Sequence, residues 1–167
     1  ERKDIREGDY VKIEKGGDVI PKVVEVVIDQ RPKGSKPFKM PGICPVCKQP
    51  IHRQEGEANY YCTNVMCAAQ VQGRMEHFVG RNAMDIEGLG YQIIEKFIKL
   101  GYLGDITDIY KLNKKEKELK KIEGFGDKSI DNILASVENS KLRPFDKVLF
   151  AIGIRHVGDR TAKILAK

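Results

Sequence analysis

No apolar run in the 167 residues approaches 18, so a membrane-spanning helix is excluded. No signal-peptide pattern opens the chain, and Glu1-Arg-Lys-Asp4 reads as a cut inside a longer protein. Cysteine is scarce as well: there are four, all within residues 44–67. Disulfides spread through a secreted scaffold are therefore excluded, and a reducing, cytosolic setting favours a metal over disulfides. Hydrophobic content of 41% beside 32% charged residues suits several small, well-solvated modules better than one large core. Acidic excess is also lacking. The net charge is +6, so a polyanionic partner fits. The charge is uneven: +2 over residues 1–40, zero over 41–80 and +4 over 81–167, which puts any electrostatic grip mainly in the C-terminal half.

The cysteines form two knuckles, Cys44-Pro-Val-Cys47 and Cys62-Thr-Asn-Val-Met-Cys67, joined by a loop of 14 residues. Each knuckle presents two sulfurs, and four sulfurs make the tetrahedral thiolate cage that Zn²⁺ takes. Every cysteine is used, so no position is left for a reactive water, and the site reads as structural. It would replace a core in a module far too small to fold by burial alone. Two other readings stay open: His52 as a substitute ligand, and cysteines that are simply buried or paired. Redox chemistry at Cys44 and Cys47 is disfavoured because no βαβ pattern surrounds them.

Residues 9–28 read as strands. Asp9-Tyr-Val-Lys-Ile-Glu14 alternates, with Val11 and Ile13 on one face; Gly16-Gly-Asp18 is a turn signal; Val23-Val-Glu-Val-Val-Ile28 reads as a buried strand. So few strands form no stable sheet alone, which marks the end of a larger β domain. Pro and Gly make residues 32–42 a linker. After about residue 70 the period becomes helical. Ile93, Ile94, Phe97, Ile98 and Leu100 mark one helix. Asn113-Lys-Lys-Glu116 resembles a capping box opening a helix to Ile122. Ile130, Ile133, Leu134 and Val137 mark another, and Phe145, Val148, Leu149 and Ile152 a fourth. His77 and Phe78 are expected to pack beneath the cysteine module.

A repeat runs through this half. Ile86-Glu-Gly88-Leu-Gly90, Ile122-Glu-Gly124-Phe-Gly126 and Ile154-Arg-His156-Val-Gly158 each precede a helical segment, with the second glycines 36 and 32 residues apart. Such self-similarity indicates a helix–hairpin–helix unit. The glycines permit positive φ and close backbone approach, and the free N–H groups of the next helix suit a phosphate. Lys128 and Ser129 follow the second hairpin; Arg155, His156, Arg160 and Thr161 surround the third, where they can bond phosphate oxygens. Contacts of this kind read the DNA backbone rather than its sequence. For the first hairpin, followed by Tyr91 and Gln92, and the third, with His156 in a glycine position, pure helix packing stays open. The run Lys114, Lys115, Lys117, Lys120 and Lys121, interleaved with Glu116 and Glu118, is a solvated helix face or, less simply, a phosphate track.

Together these segments resemble bacterial NAD-dependent DNA ligases. Asp4-Ile-Arg-Glu-Gly-Asp9, Gly17-Asp-Val-Ile-Pro21 and Arg31-Pro32 resemble the end of their OB-fold domain. Cys44, Cys47, Cys62 and Cys67 match their four-cysteine zinc finger, and Arg81–Gly90, Glu123–Ser129 and Gly153–Gly158 look like their helix–hairpin–helix segments. The resemblance is colinear over essentially the whole chain. It implies a multidomain α+β architecture: a partial OB-fold segment over 1–31, a linker over 32–42, a small four-cysteine zinc finger over 43–70 and an all-α helix–hairpin–helix domain over 71–167. It implies one structural Zn²⁺, and NAD and Mg²⁺ only for the parent enzyme, since the Lys-x-Asp-Gly motif of the family's nucleotidyltransferase domain is absent here. It also implies duplex and nicked DNA as partners, replication and repair as the setting, a monomer, and a bacterial, nucleoid-associated cytoplasmic location. In that family His156 is normal. A non-ligase nucleic-acid adaptor and a zinc-stabilised protein scaffold are the competing readings.

Overall fold

The computed structural model describes residues 3–16 and 20–167. The chain divides into two compact units, Glu1–Gly42 and Ile43–Lys167.

In the first unit, β1 (Val11–Gly16) and β2 (Ile20–Val26) pair antiparallel from Val11 opposite Val26 to Gly16 opposite Ile20. A register shift falls between Lys12 and Ile13. Gly17 and Asp18 of the expected turn lie outside the described residues. The buried strand expected at Val23–Ile28 is not what forms. β2 ends at Val26, Ile28–Gln30 is a 3₁₀ turn, and Val24 and Ile28 are exposed. A two-stranded ribbon has no layer packed on its faces, so β-branched residues alone do not bury it.

This unit is held instead by an ionic knot. Arg31 grips Asp9 with two parallel bonds, Nε to Oδ1 and Nη2 to Oδ2, both 2.9 Å. Its Nη1 reaches Asp4 Oδ2 at 2.8 Å, where Arg6 Nη2 also bonds at 2.8 Å. The Arg6 backbone N–H donates to Asp9 Oδ2 at 2.8 Å, and the Asp9 side chain is wholly buried. The two guanidinium groups, Arg6 and then Arg31, hold the Asp4 carboxyl down at about 2, and Arg31 likewise lowers Asp9. Carboxyls depressed in the folded state contribute stability that is present above their ordinary value near 4 and lost as pH falls through the folded value. The first unit should therefore stay protected at pH 5 and open between pH 4 and 2. Arg31→Ala should open it at neutral pH, because the buried Asp9 carboxylate is left with the Arg6 N–H but without its paired charge. Residue-resolved amide exchange checks both; protection of residues 4–31 that survives in Arg31→Ala would contradict this account.

The second unit opens with the cysteine module, where β3 (Ile51–His52) pairs antiparallel with β4 (Tyr61–Cys62). Seven α-helices follow among the described residues: α1 (Ala68–Val79), α2 (Tyr91–Lys99), α3 (Ile106–Ile109), α4 (Glu116–Leu119), α5 (Asp127–Ser140), α6 (Phe145–Ala151) and α7 (Asp159–Leu165). One core joins α1 to α6. Met75 and Phe78 from α1, Leu89, Ile94 and Phe97 around α2, Leu103, Ile109, Leu112, Leu119, and Ile130 and Ile133 from α5 are all at most 5% exposed. Burying each such side chain contributes about 1.5–3 kcal/mol against chain entropy. Phe97 lies at its centre, with ring centroids 5.4 Å from Phe125 and 5.9 Å from Tyr102. α2 stops at Gly101, whose φ of +75° lets Tyr102 N–H reach back to Phe97 O at 2.8 Å.

Three local expectations are corrected. Asn113 makes no cap: Leu112–Lys115 is a 3₁₀ turn and α4 follows it without a side-chain cap bond. The capping box lies earlier, at α3, where Asp105 accepts from Thr107 N–H at 2.9 Å and Asp108 from Asp105 N–H at 3.0 Å. Next, α6 is helical as its spacing predicts, but Phe145 and Ile152 are 61% and 48% exposed and only Ala151 is buried. The rest of the helix is half-buried, so its two ends are what stand out to solvent. Last, His77 packs on α6 rather than under the cysteine module: its ring lies 4.9 Å from that of Phe150 and its Nε2 is 2.8 Å from Phe150 O. Phe78 meets Tyr110 edge-on at 6.2 Å. In the lysine run, Lys120 pairs with Glu116 as spacing predicts and also with Asp131 of α5, both at 2.6 Å.

Candidate metal centre and nucleic-acid interface

Each knuckle is built by backbone turns. In the first, Cys44 O accepts from Lys48 N–H at 2.9 Å and Gln49 O from Cys44 N–H at 2.8 Å, with Lys48 at φ +61° closing the turn. In the second, Asn64 Oδ1 accepts from Met66 N–H and Asn64 O from Cys67 N–H, both at 3.0 Å. Pairing of Ile51 with Cys62 brings the knuckles together. The Sγ atoms of Cys44 and Cys67 are then 3.9 Å apart, those of Cys47 and Cys62 3.5 Å, and all four lie within 4.8 Å of one another. A disulfide needs about 2.05 Å, so these are not disulfides. A metal with four sulfurs at about 2.3 Å gives tetrahedron edges of about 3.8 Å, close to the Cys44–Cys67 and Cys47–Cys62 separations.

The electrostatics favour a divalent cation. The Gln49 backbone N–H, then Asn64 and the neighbouring sulfurs, pull the Cys47 thiol down to about 6. At Cys62 the Asn64 backbone N–H also pulls down, but burial and the three other sulfurs outweigh it and push the thiol up to about 12. Four thiolates this close cannot all ionise without a positive charge among them. His52 is exposed on β3 and stands outside the cluster.

The three hairpins share one backbone form. Gly88, Gly124 and His156 have φ of +85°, +88° and +68°, so His156 adopts the left-handed form that glycine takes in the other two. Two residues on, Gly90, Gly126 and Gly158 are extended and open α2, α5 and α7, whose starts carry no side-chain cap bond. A Cβ added at any of these three would meet nothing within 4 Å. At Gly88 it would lie 2.6 Å from Ile133 Cγ1. The first hairpin thus keeps one glycine for packing and one facing open space.

Lys128 and Ser129 are exposed on the first turn of α5, and Arg160 and Thr161 on that of α7. The matching strings Gly126-Asp-Lys-Ser129 and Gly158-Asp-Arg-Thr161 give the second and third hairpins the same cation and hydroxyl positions. Asp159 would repel an anion there, but Lys147 and Lys163, each 2.7 Å away, neutralise it and hold its carboxyl at about 2. His156 is exposed. Arg155 does not stand free among them. Its guanidinium pairs with Glu57 and lies 5.3 Å over the Tyr61 ring, both in the cysteine module.

Two residues outside the sequence-level site fix the hairpins. Lys96 of α2 donates to Glu123 O at 2.6 Å and covers the Phe125 ring at 5.2 Å. Ser136 Oγ of α5 accepts from Glu87 N–H at 2.8 Å. Their partners lie 27 and 49 residues away, beyond any local sequence signal.

Residues 1–35 match the NAD-dependent DNA ligase OB-fold domain, and residues 44–69 the NAD-dependent DNA ligase C4 zinc finger domain. The chain is 47% identical over 165 residues to a DNA ligase of Acetivibrio thermocellus, covering 99% of this chain and 25% of that protein. It is 48% identical over 165 residues to one of Natranaerobius thermophilus, again 99% and 25%. Against one of Fusobacterium nucleatum it is 46% identical over 167 residues, 100% and 24%. The chain spans about a quarter of the length of these curated relatives. With that identity running through both units, the chain belongs to the family of NAD-dependent DNA ligases.

Proposed function

We propose that this chain is the DNA-gripping region of an NAD-dependent DNA ligase that seals nicks in duplex DNA during bacterial replication and repair. Cys44, Cys47, Cys62 and Cys67 hold one structural Zn²⁺, which supplies folding energy and no chemistry. The hairpin glycines, with Lys128, Ser129, His156, Arg160 and Thr161, take phosphate oxygens of the duplex without reading bases. Residues 1–31 are OB-fold, 32–42 a linker, 43–70 the finger and 71–167 the helix–hairpin–helix domain. NAD and Mg²⁺ serve the parent protein, as a cytoplasmic, nucleoid-associated monomer; the chain alone forms no AMP adduct.

The observation carrying this reading is the repeated backbone form, in which a left-handed residue, an extended glycine and a helix start recur three times with open space before each start. Helix N-termini arranged in this way favour anions by dipole and by free N–H groups together. Affinity for a nicked duplex should fall linearly with salt on a log–log plot. In a Lys128→Ala/Arg160→Ala double variant the slope should shrink by about two, one for each lost phosphate contact. A slope unchanged in the double variant, or no salt dependence in the parent chain, would defeat the proposal.

A further inference from the structure

Each hairpin is pinned from outside by another element, and the first two pin each other. α2, which follows the first hairpin, supplies Lys96 to the second; α5, which follows the second, supplies Ser136 to the first. The third hairpin is held differently. Among the described residues its outside side-chain hydrogen bond comes from the cysteine module, where Glu57, between β3 and β4, pairs with Arg155. Tyr61, under the same guanidinium, directly precedes the cluster residue Cys62. His77 of α1 also stands against the turn, its Cδ2 lying 3.3 Å from where a Cβ on Gly153 would sit.

We propose that Glu57 and Tyr61 are positioning residues through which the metal-bound finger fixes the third hairpin, with Arg155 as their latch rather than a phosphate ligand. This rests on the DNA-binding reading above. The Glu57 side chain is only partly exposed, and its Oε2 is buried with no hydrogen-bond partner among the described residues, so Arg155, bonded at Oε1, supplies the carboxylate's counter-charge. The Arg155 guanidinium is thereby turned onto the finger, and Arg160 and Thr161 are left to meet the phosphate. The finger does for the third hairpin what a neighbouring helix does for each of the other two.

The test compares Glu57→Ala, Arg155→Ala and the double variant in the zinc-loaded 167-residue chain. Exchange at residues 152–158 should rise equally in all three, while zinc content and exchange in α2 and α5 stay unchanged. Affinity for a nicked duplex should fall about two- to fivefold in each, the range for a half-exposed charge pair, with no further loss in the double variant. The salt slope should not move, because no phosphate contact is removed. A slope about one smaller in Arg155→Ala, with Glu57→Ala silent, would make Arg155 a direct phosphate ligand and overturn the latch. Zinc loss in Glu57→Ala would overturn it too, since the finger itself would then have collapsed. If the parent chain binds no DNA, the functional reading fails while the exchange arm still decides the latch.

Discussion

Cys67→Ser, or withdrawal of the metal by a chelator, should unfold residues 43–67 and leave the helical core standing. Cys67 is 1% exposed, and α1 begins at the next residue, so one sulfur anchors both the finger and the helix leaving it. The finger has almost nothing else. β3 and β4 have two residues each, and between residues 43 and 67 only Cys44 and Cys67 are buried. Structural zinc contributes apparent free energies of about 10–16 kcal/mol in modules of this size, whose folding is then metal binding itself. The core around Phe97 draws its large residues from α1 through α5 and owes the cluster nothing directly. Native mass spectrometry should count one zinc in the parent chain and none in the variant. Amide exchange should become fast over 43–67, fast over 152–158 as the latch is released, and stay slow in α2 and α5. A variant that lost zinc but kept protection over 43–67 would show that the cysteines are packing residues, not ligands.

Gly88→Ala and Gly126→Ala should separate stability from binding. At Gly88 the new Cβ would sit 2.6 Å from Cγ1 of Ile133, itself 1% exposed, on a backbone at φ +85°. Left-handed strain and overpacking together should cost about 2–4 kcal/mol. At Gly126, φ is −90° and nothing lies within 4 Å, so folding should change by only about 0.5–1 kcal/mol, the preference for Gly over Ala at an N-cap. The methyl would instead occupy the space in front of the α5 N-terminus, where we place a phosphate. Losing one charge-assisted bond there should weaken duplex binding about tenfold or more. Denaturant midpoints and binding isotherms on both variants decide this. A Gly126→Ala chain that binds as tightly as the parent would leave the hairpin a packing device only.

Much was legible in the sequence because the signals were local. Cysteine spacing located the cluster, since two short turns present two sulfurs each whatever surrounds them. The repeated glycines located the hairpins, since positive φ and an open helix start are properties of a few consecutive residues. Helix faces read from Ile94, Phe97, Ile130 and Ile133 are buried for the same reason. The misreadings had two sources, missing layers and competing local turns. β-branched residues at 23–28 predicted burial that a two-stranded ribbon cannot supply. Asn113 looked like a cap, but Asp105, with Asp108 three residues on, made the better one.

The sequence by itself determined the family, the cysteine cluster and the places of the three hairpin turns, each written in short stretches of chain. Only the tertiary structure decided that Gly88 is held against Ile133, that Lys96 and Ser136 brace hairpins they do not belong to, and that Arg155 pairs with Glu57. Those contacts join residues 27 to 98 positions apart. Their partners are chosen by how helices pack around Phe97 and by where the finger is carried on α1, and no local pattern encodes either.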